Sequence, residues 1–324
     1  MKVSKHEVSK PYFPGFTRKS VTFSIDDGNL VLDRKFISIV APYGIKGTFN
    51  LCGNNMTAEN REEVIALYRG FEVSNHCAYH PYCLEEEMRE RIVEEPFVEE
   101  NADPDKIYPY AEIPGLYHIH PPKGWRNAAF IDDYLRFAEE GQRTLENVFG
   151  VGNIQGFEWP FGKQKSVECY ERLIAMGFVY IRIGGNVLDT TGYAIPEDWY
   201  NWTFNATGFA IRGQVETYAN YPDDGELKFF CIGAHSIDFL HNNNFSDLEF
   251  FAQTFGNKPD LYYCAGIYDI FTYCNATKAL VITDNFIENP SDRDIYIKVD
   301  GEKFIVRSHT KLDLETKTLV FLNI

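Results

Sequence analysis

The sequence predicts an α/β fold built on a parallel sheet or barrel, and two features of the chain support this prediction. Strand-like apolar runs at residues 21–25, 46–51 and 71–75 alternate with helix-like runs at residues 29–43 and 57–69, joined by short links. Side chains that bind metals follow the first and third of these strands. Because right-handed crossovers bring the carboxyl ends of parallel strands to one face, we expect these side chains to meet there.

Composition narrows the class of protein. The chain has 324 residues, with 44% apolar and 24% charged side chains, and can form one large core or one core plus a small appendage. A net charge of −16 argues against nucleic acid and anionic membranes as partners, and no apolar run is long enough to span a membrane. The amino terminus lacks the apolar core of a signal peptide, and the seven cysteines suggest reduced thiols. We therefore expect a cytoplasmic location, although a truncated secreted protein would look the same.

The first strand ends in Asp26, Asp27 and Gly28, and the third leads into His76 and His80. A spacing of four residues would place the two imidazoles one helical turn apart on the same side. One aspartate and two histidines are a three-ligand set for a divalent metal, which leaves a position for water as hydrolytic metal sites require. Each half alone is ordinary, since Asp-Asp-Gly is common in turns and histidine pairs are common on helix surfaces. Because each follows a strand in a chain of alternating strands and helices, the two together favour a metal site.

Further along the chain, the pattern predicts a long amphipathic helix over residues 131–149 that ends at Gly150, and a strand over residues 153–159. A helix over residues 164–176 and strands over residues 178–183, 227–233 and 261–264 follow. From about residue 279 the chain consists of β runs, with a hairpin turn at Asp300-Gly301. So short a β segment is not expected to fold alone, so it should pack against the barrel or against a neighbouring subunit in a homo-oligomer.

Four motifs, in order, resemble those of the NodB-like polysaccharide deacetylase family, metal-dependent N-deacetylases of amino sugars. They are Ser24-Ile25-Asp26-Asp27-Gly28, the run from His76 to Pro81, Pro160-Phe161-Gly162, and the apolar strand that ends at His235. The resemblance covers about residues 20–275. It departs from the family at Cys77, where the family has a hydroxyl residue, and at Glu158, where the family has arginine.

The resemblance implies an α/β fold of a particular kind, a distorted (β/α) barrel with about seven strands. We expect this barrel at residues 1–275, with a long insertion at about residues 85–127, and a small C-terminal β-hairpin subdomain at residues 276–324. The insertion is acidic at first and then rich in proline and aromatic residues, so we expect a loop that covers the site. Tyr117, His118 and His120 would either contact substrate or only pack the loop.

The resemblance also implies the roles of site residues. Asp27, His76 and His80 would hold a divalent metal, with zinc as the default and cobalt, nickel or iron as alternatives. Asp26 would be the general base and His235 the general acid. The backbone N–H of Phe161 would bind the oxyanion, with Trp159 and Pro160 beside the substrate.

Glu158 is the departure with the greatest consequence, because the family arginine pairs with the base. Three hypotheses follow: Arg182 replaces that arginine, Glu158 points away to bind substrate, or the enzyme is slow. A carboxylate close to Asp26 would raise the proton affinity of one of the two. Asp198 and Asp238 are both candidates to orient His235.

The leading prediction is a metal-dependent hydrolase that removes N-acetyl groups from an amino sugar or polysaccharide. Two alternatives remain open at this stage. One is an amidohydrolase that acts on a small non-sugar amide. The other is a non-catalytic metal- or carbohydrate-binding protein, which the substitution at Glu158 suggests.

Overall fold

The structure is a computed structural model, which describes residues 2–3, 5–122, 124–162, 167–184 and 192–322. The strands of these residues are β1 (Lys2–Val3), β2 (His6–Glu7), β3 (Lys19–Asp27), β4 (Thr48–Leu51), β5 (Glu72–Asn75), β6 (Tyr82–Cys83), β7 (Tyr108–Pro109), β8 (Tyr117–Ile119), β9 (Arg126–Ala129), β10 (Gly156–Glu158), β11 (Tyr180–Arg182), β12 (Ala206–Thr207), β13 (Lys228–His235), β14 (Tyr262–Cys264), β15 (Val281–Ile282), β16 (Phe286–Asn289), β17 (Ile295–Val299), β18 (Glu302–Val306), β19 (Thr310–Asp313) and β20 (Leu319–Phe321). The α-helices are α1 (Leu30–Val40), α2 (Arg61–Leu67), α3 (Ile131–Phe149), α4 (Val167–Ala175), α5 (Ile211–Ala219), α6 (Ser236–His241), α7 (Phe245–Phe255) and α8 (Ile267–Lys278). Short 3₁₀ turns lie at Pro14–Phe16, Ala41–Tyr43, Gly53–Asn55, Glu86–Arg91, Glu99–Asn101 and Pro160–Gly162.

A parallel sheet forms the centre of the molecule. Seven strands lie side by side in the order β11-β10-β5-β4-β3-β13-β12, and β14 pairs with the first residues of β3. Every ladder in this sheet is parallel. Helices connect the strands, as parallel ladders require. The predicted fold class, a distorted (β/α) barrel with about seven strands, is confirmed.

Strand β3 is buried on both faces, which explains its composition. Val21, Phe23 and Ile25 are fully buried in the core shared with α1 and α7, and the Phe23 ring lies 4.9 Å from that of Phe36. Between them, the small hydroxyl residues Ser20, Thr22 and Ser24 are equally buried. Such alternation places apolar side chains on one face and small polar ones on the other. The strand ends at Asp27, so its two carboxylates emerge at the edge of this packed layer.

The insertion is a loop with 3₁₀ turns over residues 85–107, but its second half contains strands that the sequence did not predict. With the flanking strand β6, they build a second sheet in the order β6-β9-β8-β7, in which β6 and β9 are parallel and the other pairs antiparallel. A small apolar core lies beneath it, formed by Leu84, Ile107, Ile119, Ala128 and Phe130. Strands of two to four residues give no periodic signal, which is why the composition suggested irregular structure.

Other predicted elements differ from the structure in detail. Helix α3 spans the predicted residues, and the predicted start of α4 lies outside the described residues. The helix-like run at residues 57–69 is shorter in the structure, because α2 begins at Arg61 after a turn in which the Thr57 hydroxyl accepts a hydrogen bond from the Asn60 N–H. Four helices, α5, α6, α7 and α8, were not predicted from the sequence. The seven cysteines all lie among the described residues, and none of them forms a disulfide there.

The C-terminal strands form a hairpin and a sheet. Strands β17 and β18 pair across the Asp300-Gly301 turn, and β15, β16, β19 and β20 form an antiparallel sheet. Apolar side chains of β17 share a core with α8, including Ile295, Ile297, Ile267 and Ile270. This segment therefore packs against the last helix of the barrel. In the described part of the chain, no helix is long and apolar enough to cross a membrane.

Candidate active site

The carboxyl ends of β3, β5, β10 and β13 meet at a cavity of about 620 Å³. Its lining includes residues from all four sequence motifs: Asp26, Asp27, His76, His80, Phe161 and His235. The register of the sheet explains this convergence, because Asp26 is paired with His235 on one side and with Asn50 on the other. Parallel strands carry ligand sites at this end.

Asp27, His76 and His80 form the one group of potential metal ligands found among the described residues. Their ligand atoms lie within 4.8 Å of one another. The Asp27 Oδ1 atom is 3.5 Å from His76 Nε2 and 3.3 Å from His80 Nε2. The buried Asp27 Oδ1 and His76 Nε2 atoms have no hydrogen-bond partner among the described residues.

The tautomer of His76 also suits a metal ligand. His76 Nδ1 donates a hydrogen bond to the backbone carbonyl of Glu158 at 3.0 Å, which leaves the lone pair of Nε2 directed toward Asp27. Buried polar atoms are nearly always partnered, and a cation between these two would satisfy both. The residues present therefore fit a divalent metal.

The two histidines do not meet by helical spacing, so that part of the prediction is wrong. Residues 76–81 form an irregular turn in which Cys77 and His80 have left-handed φ angles of 63° and 51°. Asn75 Oδ1 accepts a hydrogen bond of 2.8 Å from the Cys77 N–H and holds this turn. The Cys77 side chain is fully buried, and burial raises the pKa of its thiol.

Helix α3 closes over this turn at Gly141. A Cβ atom at Gly141 would lie 2.8 Å from both Asn75 Oδ1 and the Cys77 carbonyl carbon. Real Cβ atoms do not approach so closely, so only glycine fits between the helix and the turn.

Asp26 lies beside the metal ligands and is held by two donors. Arg182 Nη2 donates to Asp26 Oδ1 at 2.5 Å, and Asn50 Nδ2 donates to the same oxygen at 2.6 Å. Burial opposes ionisation of Asp26, but the Arg182 guanidinium lowers the pKa of the carboxyl below its usual value. Asp26 is therefore ionised at neutral pH.

Glu158 does not point away from the site. Its Oε2 atom forms a 2.8 Å ion pair with Arg182 Nε. Both side chains are buried, with 2% of the Glu158 surface and 1% of the Arg182 surface exposed. The two residues are register partners on β10 and β11. Burial raises the pKa of Glu158 well above its usual range, since Arg182 offsets only part of this effect and Asp26 adds to it. The carboxyl with the raised proton affinity is therefore Glu158 and not Asp26.

His235 lies beside Asp27 at the end of the adjacent strand, with 3.7 Å between His235 Nε2 and Asp27 Oδ2. Its Nδ1 atom lies 3.1 Å from Asp238 Oδ2, which also accepts a hydrogen bond from the His235 backbone N–H. Burial opposes protonation of the ring, but Asp238, with Asp26 and Asp27, raises the pKa of His235 to about 9. Asp198 does not take this place, because its carboxylate accepts a hydrogen bond from the Tyr200 N–H in a separate exposed turn.

Phe161 has a left-handed φ of 60°, so its backbone turns sharply at the rim of the cavity. Its ring packs edge-on against His80 at 4.6 Å, and the Arg126 guanidinium lies over its face at 4.6 Å. Trp159 lines the cavity and stacks on Tyr134 at 5.7 Å. Pro160 is buried next to it.

The three insertion residues named from the sequence have different surroundings. His118 is stacked between Phe97 and Tyr110, at 4.4 and 5.0 Å, and lines a second cavity beside the first. Tyr117 packs edge-on against Phe130. His120 is exposed and stacks on Trp125. Neither Tyr117 nor His120 is among the described residues that line the two cavities.

Sequence reasoning missed several residues that shape the site. Asn50 holds Asp26, Asn75 holds the histidine turn, and Asn55 donates a hydrogen bond of 2.6 Å to the Asp27 carbonyl. Arg126 lies between the two cavities. A polar residue near the end of a buried strand is a signal that could have revealed Asn50, which follows Phe49, and Asn75, which ends its strand two residues after Val73.

Comparison with known proteins shows the family of the chain. The family described as polysaccharide deacetylase matches residues 14–180, slightly more than half of the chain. No curated protein shows significant sequence similarity to the chain.

Solved structures that resemble the chain are distant from it. A peptidoglycan deacetylase, PdaC, from Bacillus subtilis is 15% identical, with 81% of this chain and 94% of that chain covered and a TM-score of 0.44. A CE4 esterase from Streptococcus mutans is 14% identical, with 77% and 86% covered and a TM-score of 0.43. A family 4 acetyl xylan esterase from Clostridium thermocellum, in complex with a cobalt ion, is 15% identical, with 78% and 91% covered and a TM-score of 0.42.

The family assignment rests on the sequence match, which includes the strand ending at Asp27, the histidine turn and the Pro160-Phe161-Gly162 turn. The predicted resemblance is thereby confirmed. This chain belongs to the polysaccharide deacetylase family, hydrolases that act on the carbon–nitrogen bonds of N-acetyl groups.

Proposed function

We propose that this protein is a metal-dependent hydrolase that removes N-acetyl groups from an amino sugar or polysaccharide. One observation carries the proposal: the unpartnered atoms of Asp27 and His76 converge with His80 next to an ionised Asp26. A hydrolytic site needs both a cation-binding cradle and a separate base, and this cavity offers both.

Asp27, His76 and His80 would hold the metal, with zinc as the default for a site of two imidazoles and one carboxylate and cobalt, nickel or iron as alternatives. When bound, the metal would supply Lewis-acid polarisation of the acetyl carbonyl and of the attacking water. Its affinity would depend on the His76 tautomer that the Glu158 carbonyl selects.

Asp26 would accept the proton of the attacking water. It is suited to this role because its carboxylate is ionised and fixed by Arg182 and Asn50, which leaves little freedom for the side chain to turn away. Arg182 would thus serve as the residue that orients the base, the part that an arginine at position 158 would have in the family.

The remaining steps concern the oxyanion and the amine. As water adds to the carbonyl carbon, the Phe161 N–H would donate a hydrogen bond to the developing oxyanion. His235, protonated at neutral pH and oriented by Asp238, would donate a proton to the nitrogen as the carbon–nitrogen bond breaks. The products would be acetate and the free amine.

Two matched variants test the separation of metal ligand and base. Asp27→Ala should remove bound metal, measured by elemental analysis of the dialysed protein, together with turnover. Asp26→Ala should retain the metal and lower kcat for acetate release from N-acetylglucosamine oligomers by about 10²–10⁴-fold, the range for loss of a general base. Equal metal loss in both variants would contradict these roles.

The same assay distinguishes the alternatives. Chelator-sensitive acetate release by the parent protein would establish deacetylation. A protein that binds metal but releases no acetate from sugars would instead support hydrolysis of a small amide or a non-catalytic binding role, and a screen of small N-acetyl amides would separate those two.

A further inference from the structure

A second cavity, of about 480 Å³, adjoins the catalytic one and is built largely by the insertion. The two cavities share His80, Arg126 and Phe161, so one ligand could reach from one into the other without leaving the protein surface. Its volume is within the range of about 300–1,000 Å³ that small-ligand sites have. The roles proposed above leave this cavity unused.

Aromatic rings form one wall of this cavity. Trp125 is half-buried, with its ring tilted against Phe97 at 4.5 Å and stacked on His120 at 4.8 Å. Phe97 is itself stacked on His118. These contacts fix the rings in place before any ligand arrives, so little side-chain entropy is lost on binding.

Polar side chains complete the lining. Glu99, Arg126 and Asn127 present a carboxylate, a guanidinium and an amide beside the rings. A sugar ring matches this combination, because its C–H faces pack on aromatic rings while its hydroxyls exchange hydrogen bonds with planar polar groups. With both a carboxylate and a guanidinium present, the lining suits a neutral polar ligand better than an anion or a cation.

We propose that this second cavity binds the sugar unit next to the one that is deacetylated, with Trp125 and Phe97 as the stacking surface. This inference rests on the proposed function. In this proposal Trp125, which lies in the insertion and outside the four motifs, determines which substrate lengths the protein prefers. A substrate of at least two linked sugars then binds better than a single one.

The test compares substrates of different length. For the parent protein, kcat/KM for acetate release from the β-1,4-linked dimer of N-acetylglucosamine should exceed that for the monosaccharide by about tenfold, the effect of one stacked and hydrogen-bonded ring. Trp125→Ala should reduce this preference to about twofold or less, mainly through KM, whereas Trp125→Phe should keep most of it. Phe321→Ala removes an aromatic ring that is 83% exposed and far along the chain, and should leave the preference as it is.

Binding provides a readout that does not depend on turnover. In an Asp26→Ala background, calorimetry with the N-acetylglucosamine trimer should show a Kd about tenfold higher after Trp125→Ala. Equal kcat/KM for monosaccharide and dimer in the parent protein, or an unchanged Kd, would overturn the second binding site and leave deacetylation standing. No acetate release from any sugar, with the Kd difference intact, would contradict the proposed function but support the binding site.

Discussion

At the scale of single residues, the arrangement of most interest is the buried row Asp26, Arg182 and Glu158. The Arg182 guanidinium forms ion pairs with both carboxylates. The pKa of Asp26 is lowered, whereas that of Glu158 is raised. Such a division keeps one acid ionised and disfavours the charge of the other. Because Glu158 and Arg182 are paired across two adjacent strands, a sequence with arginine at position 158 and glutamate at position 182 would keep an ion pair between the same two strands.

This exchange can be tested directly. Arg182→Gln leaves two buried carboxylates without a cation and should lower the free energy of unfolding by about 3–5 kcal/mol, together with turnover. The double variant Glu158→Arg, Arg182→Glu restores a cation between two acids and should recover at least half of both losses. Urea denaturation and acetate release are the two measurements.

A double variant no better than Arg182→Gln alone would show that the position of the arginine, and not the pairing, is what Asp26 requires. Glu158→Arg alone is the informative control. It places two arginines against Asp26, and should be less stable than the double variant.

The sequence was sufficient to predict that Asp26, Asp27, His76, His80 and His235 would come together, because four motifs stood in a fixed order after strands. It was not sufficient to choose among the three hypotheses for Glu158. That choice depends on which residue of β11 lies beside β10, and strand register is a property of the folded sheet.

At the scale of elements, the turn that carries both histidines depends on α3. This helix was predicted with correct ends, but its contact with the turn was not, since the sequence shows Gly141 only as a glycine within a helical pattern. Glycine within a helix lowers helix stability by about 1 kcal/mol relative to alanine, so a glycine at this position needs a reason in the packing. The close approach of α3 to Asn75 and Cys77 is the reason, because a Cβ atom would not fit there.

We therefore expect Gly141→Ala to displace the turn and weaken metal binding by at least tenfold, with some loss of stability, because overpacking of this kind costs about 1–3 kcal/mol. The matched control is Gly213→Ala, at an exposed helical glycine of α5 where a Cβ would meet nothing within 4 Å. That variant should be neutral or slightly stabilising.

Metal affinity by titration with a competing chelator, and thermal unfolding, measure both variants. If the two glycine variants behave alike, α3 does not hold the histidine turn through Gly141.

At the scale of the whole molecule, a buried acid couples stability to pH. Asp33 on α1 is fully buried and accepts a hydrogen bond of 2.6 Å from the Tyr68 hydroxyl. Burial raises the pKa of Asp33 from 3.8 to about 6, with Tyr68 and Ser236 offsetting part of the effect. An acid with a raised pKa in the folded state favours folding while it is protonated. The contribution of Asp33 to stability is therefore greatest below pH 4 and is lost as the pH rises from about 4 to 6.

Asp33→Asn should consequently stabilise the protein at pH 7.5 by up to about 3 kcal/mol, the equivalent of a shift of roughly two pKa units. At pH 4 the difference should shrink toward zero. Urea denaturation at both values measures it, with the exposed Glu87→Gln as a control that should change stability by less than about 0.5 kcal/mol at either pH. A gain that is the same at both pH values would mean that the charge of Asp33 is not its cause.

The overall fold was predictable because strands and helices alternate visibly in the first half of the chain. Helices α5 to α8 were missed, and β12 with them, because these elements are short or carry apolar residues on more than one side. The insertion sheet was missed for the same reason. Tertiary packing decides such segments, and a single sequence shows little of it.

The paired strand ends at Glu158 and Arg182 also affect how distant sequences are classified. A motif that demands arginine two positions before Pro160 rejects this chain, and the family match ends at residue 180, just before Arg182. A motif that accepts one arginine at the end of either neighbouring strand retains it. When two side chains are paired across neighbouring strands, relatives should be compared by the pair of residues. An alignment that scores each position separately records an exchange of the two residues as two mismatches.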